Sequence, residues 1–535
     1  MGNDTKRRLA VAAAFLVAAT AASRVLGLFR EQIALYYLGL GASMGAFTVA
    51  FKVPSLVRTL LADTALSAAF IPVFSELLQK ERRREAWQVA RTVTVLATAV
   101  LGILSILGVV FAPQVIRLAA PGYKDPETIA LAISLTRIMF PTVVILGVAG
   151  IFMGILNSYD HFTLPALAPI AWNVVIIASV AVFARKYGFY ALAWGVTIGT
   201  VVELLLQIPA VWGKGRGTGG TLSLRHPAVR RVGVLLGPVV LTLGIINFNA
   251  LVDTIVASYI SEPAPAVIDK AFRLFTLPEG MFAVAIGTVL FPTLARLAAG
   301  KRYAEFRETV MSGVRQIFFV ILPFAALFVV LGVPTVRVIF QHGKVTPANT
   351  EEIAWALAMF SLGMPFVGAN DVLNRAFYGI QKTYLPLLVG GVNLVLNAGL
   401  DLLLYRPLGV GGITLSTALV STFYTFALLF LLRRQVGELA AKQLALTVGR
   451  SLVALVPLCA LGWGVWWLLD GWLGRSNPAQ IVTVGGGYAA GLAVYAAVAW
   501  LFRMEELGLL VRLVKRRRDP RVVDEVSRSE DDTEV

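Results

Sequence analysis

The sequence is dominated by long apolar runs, separated by short polar stretches. Runs of roughly 20 residues without the polar–apolar alternation of a strand predict membrane-spanning helices. Fourteen such segments lie near 9–37, 44–78, 90–112, 128–156, 166–184, 191–212, 232–260, 268–298, 309–332, 353–379, 386–404, 413–432, 451–470 and 480–502. The pattern therefore predicts an all-α, polytopic membrane protein with about 14 transmembrane helices.

Composition supports this fold class. Of 535 residues, 57% are hydrophobic and only 15% are charged, whereas soluble domains carry about 25% charged residues. These values exclude a disordered chain, a collagen-like chain and an ordinary soluble enzyme. The chain has one cysteine and three scattered histidines, so we expect neither a disulfide framework nor histidine-based zinc chemistry. A phosphate-binding loop of the ATPase type is also missing from the sequence.

The distribution of positive charge predicts the orientation. The net charge of +16 suggests loops that face the cytoplasm rather than a nucleic-acid partner. Loops on the side of the two termini carry 20 Lys and Arg residues, and the opposite loops carry 8, so both termini are predicted to be cytoplasmic. The basic and apolar N-terminus resembles a secretory signal, but the apolar run continues to residue 29. We interpret it as a retained first helix.

An internal repeat divides the chain. The Pro-centred segment 70–74 is echoed at 290–294, and segment 162–167 is echoed at 383–388, with offsets of 220 and 221 residues. We predict an N-terminal lobe at 1–231 with helices 1–6 and a C-terminal lobe at 232–450 with helices 7–12. Two extra helices follow at 451–502, then a disordered cytoplasmic tail at 503–535. Such duplication is typical of transporters, whose substrate path lies between the halves.

Charged residues inside three predicted spans provide candidate chemistry, because charge within a membrane is costly and usually functional. Among these residues the cations outnumber the acids, which favours a water-filled cavity that binds an anion. The guanidinium of arginine donates two parallel hydrogen bonds, which suits a phosphate or pyrophosphate. The alternative is a network of internal salt bridges. Lys270 lies near a helix start, where its side chain can extend to the lipid headgroups, and this explains a charge at that position without a functional role. The charged residues are Arg24, Arg30 and Glu31 in the first span, Lys52, Arg58 and Asp63 in the second, and Lys270, Arg273 and Glu279 in the eighth.

A second set of polar residues lies in the predicted C-terminal lobe. Asp253 falls in helix seven, Thr417 in helix twelve, and Asn397 and Asp401 share one face of helix eleven. Their oxygens suit a hard monovalent cation such as sodium, although hydrogen bonding between helices would also explain Asn397. Glycine pairs spaced by four, Gly150 with Gly154 and Gly487 with Gly491, are predicted to serve helix packing.

Several motifs resemble those of the MurJ (MviN) lipid II flippases. The two most specific are SRVLGLFRE at 23–31 and FKVPSLVR at 51–58. The others follow in order through residue 450, at 68–72, 119–123, 154–158, 273–280, 341–344 and 377–383. Two departures are Thr276, where some relatives carry an acidic residue, and Asp63-Thr64, where some have Glu-Gly. These departures concern gating more than substrate class.

The resemblance implies the fold of the multidrug/oligosaccharidyl-lipid/polysaccharide exporter superfamily, with two six-helix lobes and a groove for the lipid tail on the last two helices. Arg24, Arg30, Arg58 and Arg273 match central-cavity arginines thought to engage the lipid II pyrophosphate. Lys52 and Glu31, within the same motifs, complete the expected substrate-binding set. The resemblance also implies a sodium site, whose matching residues are Asp253, Asn397, Asp401 and Thr417.

The expected function is translocation of lipid II, an undecaprenyl-pyrophosphate-linked disaccharide peptide, across the bacterial inner membrane for cell-wall synthesis. No covalent bond is made or broken, and we expect no cofactor other than Na⁺. Membrane lipids and cell-wall synthesis proteins are the expected partners. The alternatives are a polysaccharide-lipid or drug exporter of the same superfamily, a membrane enzyme acting on undecaprenyl phosphates, and a non-transporting cell-wall scaffold.

Overall fold

The structure, a computed structural model, describes residues 3–215 and 221–508, without the side chains of 3–14, 16–17, 61–68 and several positions between 238 and 246. Within these ranges every regular element is a helix, which confirms the all-α class. The elements are α1 (Asn3–Leu38), α2 (Ala42–Val57), a π-helical turn (Arg58–Asp63), α3 (Thr64–Gln79), α4 (Arg83–Val110), α5 (Ala112–Ala119), α6 (Pro126–Met139), α7 (Thr142–Ser158), α8 (Thr163–Tyr187), α9 (Phe189–Gly215), α10 (Pro227–Ser258), α11 (Ala264–Ala299), α12 (Tyr303–Val330), α13 (Gly332–Phe340), α14 (Pro347–Gly379), α15 (Tyr384–Leu408), α16 (Val410–Val436), α17 (Ala441–Leu473) and α18 (Asn477–Leu501).

Within the described ranges, 11 helical stretches are long and apolar enough to cross a membrane. They comprise α4, α6 together with α7, α8, α9, α11, α12 and α14 to α18. The chain is therefore a multi-pass membrane protein, as predicted. The expected segments near α1, near α2 to α3 and near α10 are not among the 11, so the count of 14 remains a prediction.

The helices form two compact units. The first contains Met1–Arg273, Ile339–Ala356 and Gly390–Ser416, and the second contains Leu274–Val338, Leu357–Val389 and Thr417–Val535. Each unit has its own buried apolar cluster: Phe70, Phe74, Trp87 and Ile151 contribute to one in the first unit, and Phe319, Leu327, Leu458 and Tyr495 to one in the second. The predicted lobe boundaries at 231 and 450 remain predictions. Of the predicted disordered tail, residues 509–535 lie outside the described ranges.

The internal repeat is visible in the turns. The left-handed backbone positions Glu81 (φ 57°) and Lys301 (φ 54°) are 220 residues apart, and Asp160 (φ 55°) and Gln381 (φ 59°) are 221 apart. Each turn of the first pair is followed by an Arg–Glu pair at the start of a helix. Arg82 just before α4 pairs with Glu85 in α4, and Arg302 just before α12 pairs with Glu305 in α12. Left-handed non-glycine residues are uncommon, so their recurrence at the offsets found in the sequence supports duplication of one structural unit.

Small residues allow close helix pairing at the predicted positions. A Cβ atom added to Gly487 would lie 2.8 Å from the carbonyl oxygen of Gly462, so α18 and α17 touch along their backbones. On α7, a Cβ atom on Gly154 would lie 3.3 Å from Phe70. The interpretation of these glycines as packing positions is confirmed, in line with the role of small residues between membrane helices.

The second predicted span is broken near its middle. Pro54 lies inside α2, and the π-helical turn Arg58–Asp63 begins one turn later. Proline removes a backbone donor and π-turns insert an extra residue, so both redirect a helix. The break places Lys52 on α2 and Arg58 in the π-turn.

Candidate functional site

The first unit contains a charged pocket with a volume of about 180 Å³ between α1, α2, α8, α9 and the start of α11. Its apolar wall includes Phe47, Phe51, Trp172 and Ile176. Six charged side chains line it, four of them cationic and two acidic: Arg30, Lys52, Lys270, Arg273, Glu31 and Asp269. The sequence supplies this set because three separate helices carry charges within otherwise apolar runs.

Glu31 is the centre of the charge network. Its buried carboxylate accepts from Arg30 Nη2 at 2.6 Å and from Lys270 Nζ at 2.5 Å, and lies 3.3 Å from Arg273 Nη2. Arg30 additionally donates to Asn173 Oδ1 at 3.2 Å, and its guanidinium lies 4.7 Å from the ring centroid of Trp172. These contacts offset the cost of burying several charges together.

Asp269 forms the second acidic contact. Its carboxylate lies 3.1 Å from Lys270 Nζ and 3.0 Å from Arg273 Nε. Lys52 has no ion-pair partner within the described part of the chain. At neutral pH the six side chains therefore carry a net charge of two positive units, which suits a multiply charged anion. The structure contains the Arg30–Glu31 pair of the salt-bridge interpretation, and binding of an anion in the pocket remains a prediction.

The structure brings together four of the six predicted substrate-binding residues: Arg30, Glu31, Lys52 and Arg273 all line the pocket. Arg24 is exposed on α1 and Arg58 lies in the π-turn, and neither belongs to the pocket lining. Their assignment to substrate binding remains a prediction.

One charged pocket residue, Asp269, is missing from the sequence analysis, and the interpretation of Lys270 was wrong. Lys270 does not reach toward headgroups but is buried, with 2% of its surface exposed, because Glu31 and Asp269 both attract it. Asp269 was not identified at all. The signal was its spacing of four residues from Arg273, which places opposite charges on one helix face.

The predicted cation-binding residues of the first unit also converge. Asn397 Nδ2 donates to Asp253 Oδ1 at 2.7 Å and to Asp401 Oδ2 at 3.0 Å. The other carboxylate oxygen of Asp401 is buried and has no hydrogen-bond partner among the described residues. Two carboxylates with an unsatisfied oxygen fit a cation or a proton between them. The fourth predicted residue, Thr417, belongs to the second unit.

A polar contact joins the loop before α11 to α2 and to the segment between α5 and α6; we call it the Glu262 latch. Its members are Gly45, Gly122, Tyr123, Asp125, Thr128, Ser258 and Glu262, all in the first unit. The Glu262 carboxylate accepts from Asp125 N at 3.0 Å and from Thr128 Oγ1 at 3.1 Å, while its carbonyl accepts from Tyr123 Oη at 3.0 Å. The hydroxyl and amide of Thr128 also donate to Asp125 and lower the pKa of that carboxyl.

Glycines make the latch tight. The amide of Gly122 donates to Ser258 Oγ at 3.0 Å, and a Cβ atom on Gly122 would overlap the carbonyl group of Ser258. A Cβ atom on Gly45 would overlap the backbone of Glu262 in the same way. A separate contact joins the loop after α13 to the end of α1, where Lys344 N donates to Tyr36 O at 3.3 Å. The motifs at 119–123 and 341–344 thus hold elements of the first unit together.

Comparison with solved structures identifies the fold. The structure titled "Lipid II flippase MurJ, inward closed conformation" matches with a TM-score of 0.77 and 24% identity, over 92% of this chain and 99% of that chain. A multidrug resistance MATE family transporter of the MOP superfamily, in an inward-facing conformation, matches with a TM-score of 0.67 and 16% identity, over 77% of this chain and 94% of that chain.

Comparison of sequences identifies the family. The lipid II flippase MurJ of Burkholderia cenocepacia is 30% identical over 78% of this chain and 82% of its own length. The probable lipid II flippase MurJ of Rhizobium meliloti is 30% identical over 96% of this chain and 97% of its own length. The sequence model of the family described as "Lipid II flippase MurJ" matches residues 34–522. With nearly its whole length matched, the chain belongs to the lipid II flippase MurJ family.

Proposed function

We propose that this protein moves lipid II from the cytoplasmic to the outer leaflet of a bacterial inner membrane, as a transporter and not an enzyme. The observation that carries the proposal is the pocket of the first unit, in which four cations face two acids among apolar side chains. The pyrophosphate of lipid II is an anion with several acceptor oxygens, and Arg30 and Arg273 offer the fork geometry that binds such groups.

A drug exporter of the same superfamily is the second candidate, because the MATE transporter shares the fold. A pocket that selects cationic drugs requires an excess of acids, whereas this one has an excess of cations. The charge balance therefore favours the anionic lipid.

Alternating access requires that contacts at one end of the transporter close and open in turn. The Glu262 latch, with its backbone-level contacts at Gly45 and Gly122, is suited to such a closure. We assign the latch to the outer side of the membrane, consistent with cytoplasmic termini and basic loops on the other side. An inside-negative potential would favour outward movement of the anionic headgroup by about 2.3 kcal/mol per charge for each 100 mV crossed.

The direct test is rescue of a bacterial strain depleted of its own lipid II flippase. We expect expression of this chain to restore growth and to restore the labelling of lipid II from the outer face. Growth without recovery of outer-face labelling would point to a scaffold that binds cell-wall synthesis proteins. Failure of both readouts, with the protein present in the membrane, would contradict the proposal.

We also propose that Asp253, Asn397 and Asp401 of the first unit bind a monovalent cation; the role of Thr417, in the second unit, stays a prediction. Two carboxylates joined through Asn397 leave one buried oxygen of Asp401 without a donor. Sodium bound there would neutralise the carboxylate repulsion, and its release would help to reset the empty carrier.

Sodium is expected to raise the melting temperature of the wild type above its value in potassium at equal ionic strength. A cation that binds only the folded state at 100 times its Kd adds about 2.7 kcal/mol. Asp401→Asn should lose this sodium response, and Asp371→Asn, a change of a carboxylate elsewhere in a span, should retain it. An equal response of wild type and Asp401→Asn rejects the site, and a wild-type response to pH alone favours a proton.

A further inference from the structure

A groove on the first unit, separate from the charged pocket, lies between α4, α7 and α9. Its volume is about 320 Å³, and most of its wall is apolar, with Trp87 from α4, Phe152 from α7 and Trp212 from α9. All three helices belong to stretches that are long and apolar enough to span the membrane, and the surface of α4 beyond the groove is exposed and apolar, as at Ile103 and Ile106. The groove therefore faces the hydrocarbon of the membrane.

Among the described residues that line this wall, Arg91 is the one with a charged side chain. It lies eight residues after the start of α4, a distance of about 12 Å along the helix axis. Within residues 3–215 and 221–508, it has neither a hydrogen-bond nor an ion-pair partner. The predicted span begins near residue 90, so Arg91 lies at the level of the lipid headgroups. A cation there that has no counter-ion within the described chain attracts an anionic headgroup from outside the chain.

A second cation lies at the mouth of the groove. Lys214 Nζ is 5.3 Å from the ring centroid of Tyr159, and Tyr159 Oη accepts from Trp87 Nε1 at 3.1 Å. Glu85 pairs with Arg82, and Glu76 pairs with Lys80 and Arg231. Asp160, which follows Tyr159, forms no ion pair with Lys214 in the described chain. The described chain offers Lys214 no carboxylate partner. The apolar wall thus ends in two cations that form no ion pair within the described part of the chain.

We propose that this groove binds one anionic glycerophospholipid. Its acyl chain lies against Trp87, Phe152 and Trp212, and its phosphate lies between Arg91 and Lys214. Tryptophan at the boundary between hydrocarbon and headgroups suits this level of the membrane, and the charge complementarity selects anionic over zwitterionic lipid. No residue of the groove lines the charged pocket, so the proposal is independent of the transport function.

The test is native mass spectrometry of the purified full-length protein in detergent, titrated with phosphatidylglycerol or with phosphatidylcholine of identical acyl chains. We expect the wild type to bind its first phosphatidylglycerol about tenfold more tightly than phosphatidylcholine. Both lipids carry the phosphate, but only phosphatidylcholine adds a choline cation, which Arg91 and Lys214 repel. Arg91→Gln is expected to remove this preference. Arg434→Gln, an exposed cation over Phe430 on α16, is the matched control and should preserve it.

A second variant tests the groove itself without changing the charge. Thr94 lines the groove, so Thr94→Phe should weaken the binding of both lipids while the preference between them remains. Equal affinity of the wild type for the two lipids would overturn the proposal. So would an unchanged preference in Arg91→Gln, or unchanged binding in Thr94→Phe.

Discussion

Arg273→Ala is expected to abolish rescue of a flippase-depleted strain, although the protein still reaches the membrane. Arg273 contributes its guanidinium to the pocket and contacts both Glu31 and Asp269. Charge-assisted hydrogen bonds are worth about 1.5–3 kcal/mol each, so the loss of a two-bond fork lowers substrate affinity by two or more orders of magnitude. Arg273→Lys should rescue only in part, because a single ammonium lacks the fork. Arg434→Ala should rescue as well as the wild type.

A double variant separates substrate binding from internal charge balance. Arg273→Ala leaves Asp269 with Lys270 as its remaining partner, so a folding defect could imitate a binding defect. Arg273→Ala with Asp269→Asn removes one charge of each sign and keeps the net charge of the pocket. We expect this protein to fold and still fail to rescue. If the double variant restores lipid II labelling, Arg273 only neutralises Asp269, and its role toward the pyrophosphate is rejected.

Much of the fold follows from the sequence because the membrane restricts which secondary structures a spanning segment can form. An apolar run of spanning length must be a helix, since its backbone groups find no other partners in lipid. The two repeated segments predicted the duplication, and the left-handed turns at Glu81 and Lys301 recur at the same offset. Helix breaks are harder to predict. Pro54 predicts a bend, but the π-turn that begins at Arg58 depends on packing around it.

Only part of the charged site could be predicted from the sequence. Arg30, Glu31, Lys52 and Arg273 were identified because a charge is conspicuous inside an apolar run. Lys270 was misplaced because distance from a helix end is a poor measure of depth when acids from another helix attract the side chain. Which charge pairs with which depends on helix rotation and on the approach of segments more than 200 residues apart, as for Glu31 and Lys270. Periodicity along one helix carries no such information.

The Glu262 latch shows the same limit, because its members lie on four separate segments and are joined mainly through backbone atoms. The sequence showed the motif at 119–123 but not its partner. Close backbone approach at Gly45 and Gly122 explains why this contact requires glycine. The latch is therefore sensitive to the smallest possible side-chain addition.

Gly45→Ala is expected to reduce lipid II flipping more than tenfold in the rescued strain, while the protein remains folded. The added methyl group would overlap the backbone of Glu262, and backbone cannot move aside as the end of a flexible side chain can. A free-energy penalty of about 2 kcal/mol on the conformation in which the Glu262 latch is formed lowers the population of that conformation roughly 30-fold. A transporter that cannot populate one of its two states cannot complete the cycle.

The matched control is Gly102→Ala on α4. Both glycines lie inside helices, so both changes gain up to about 1 kcal/mol of helix propensity. Gly102 has nothing within 4 Å of its added Cβ atom. We expect Gly102→Ala to flip lipid II as well as the wild type and to melt at an equal or higher temperature. The loss in Gly45→Ala would then belong to the latch and not to the helix. If Gly45→Ala also flips lipid II at the wild-type rate, α2 and Glu262 need not approach this closely during transport, and the latch has no part in the cycle.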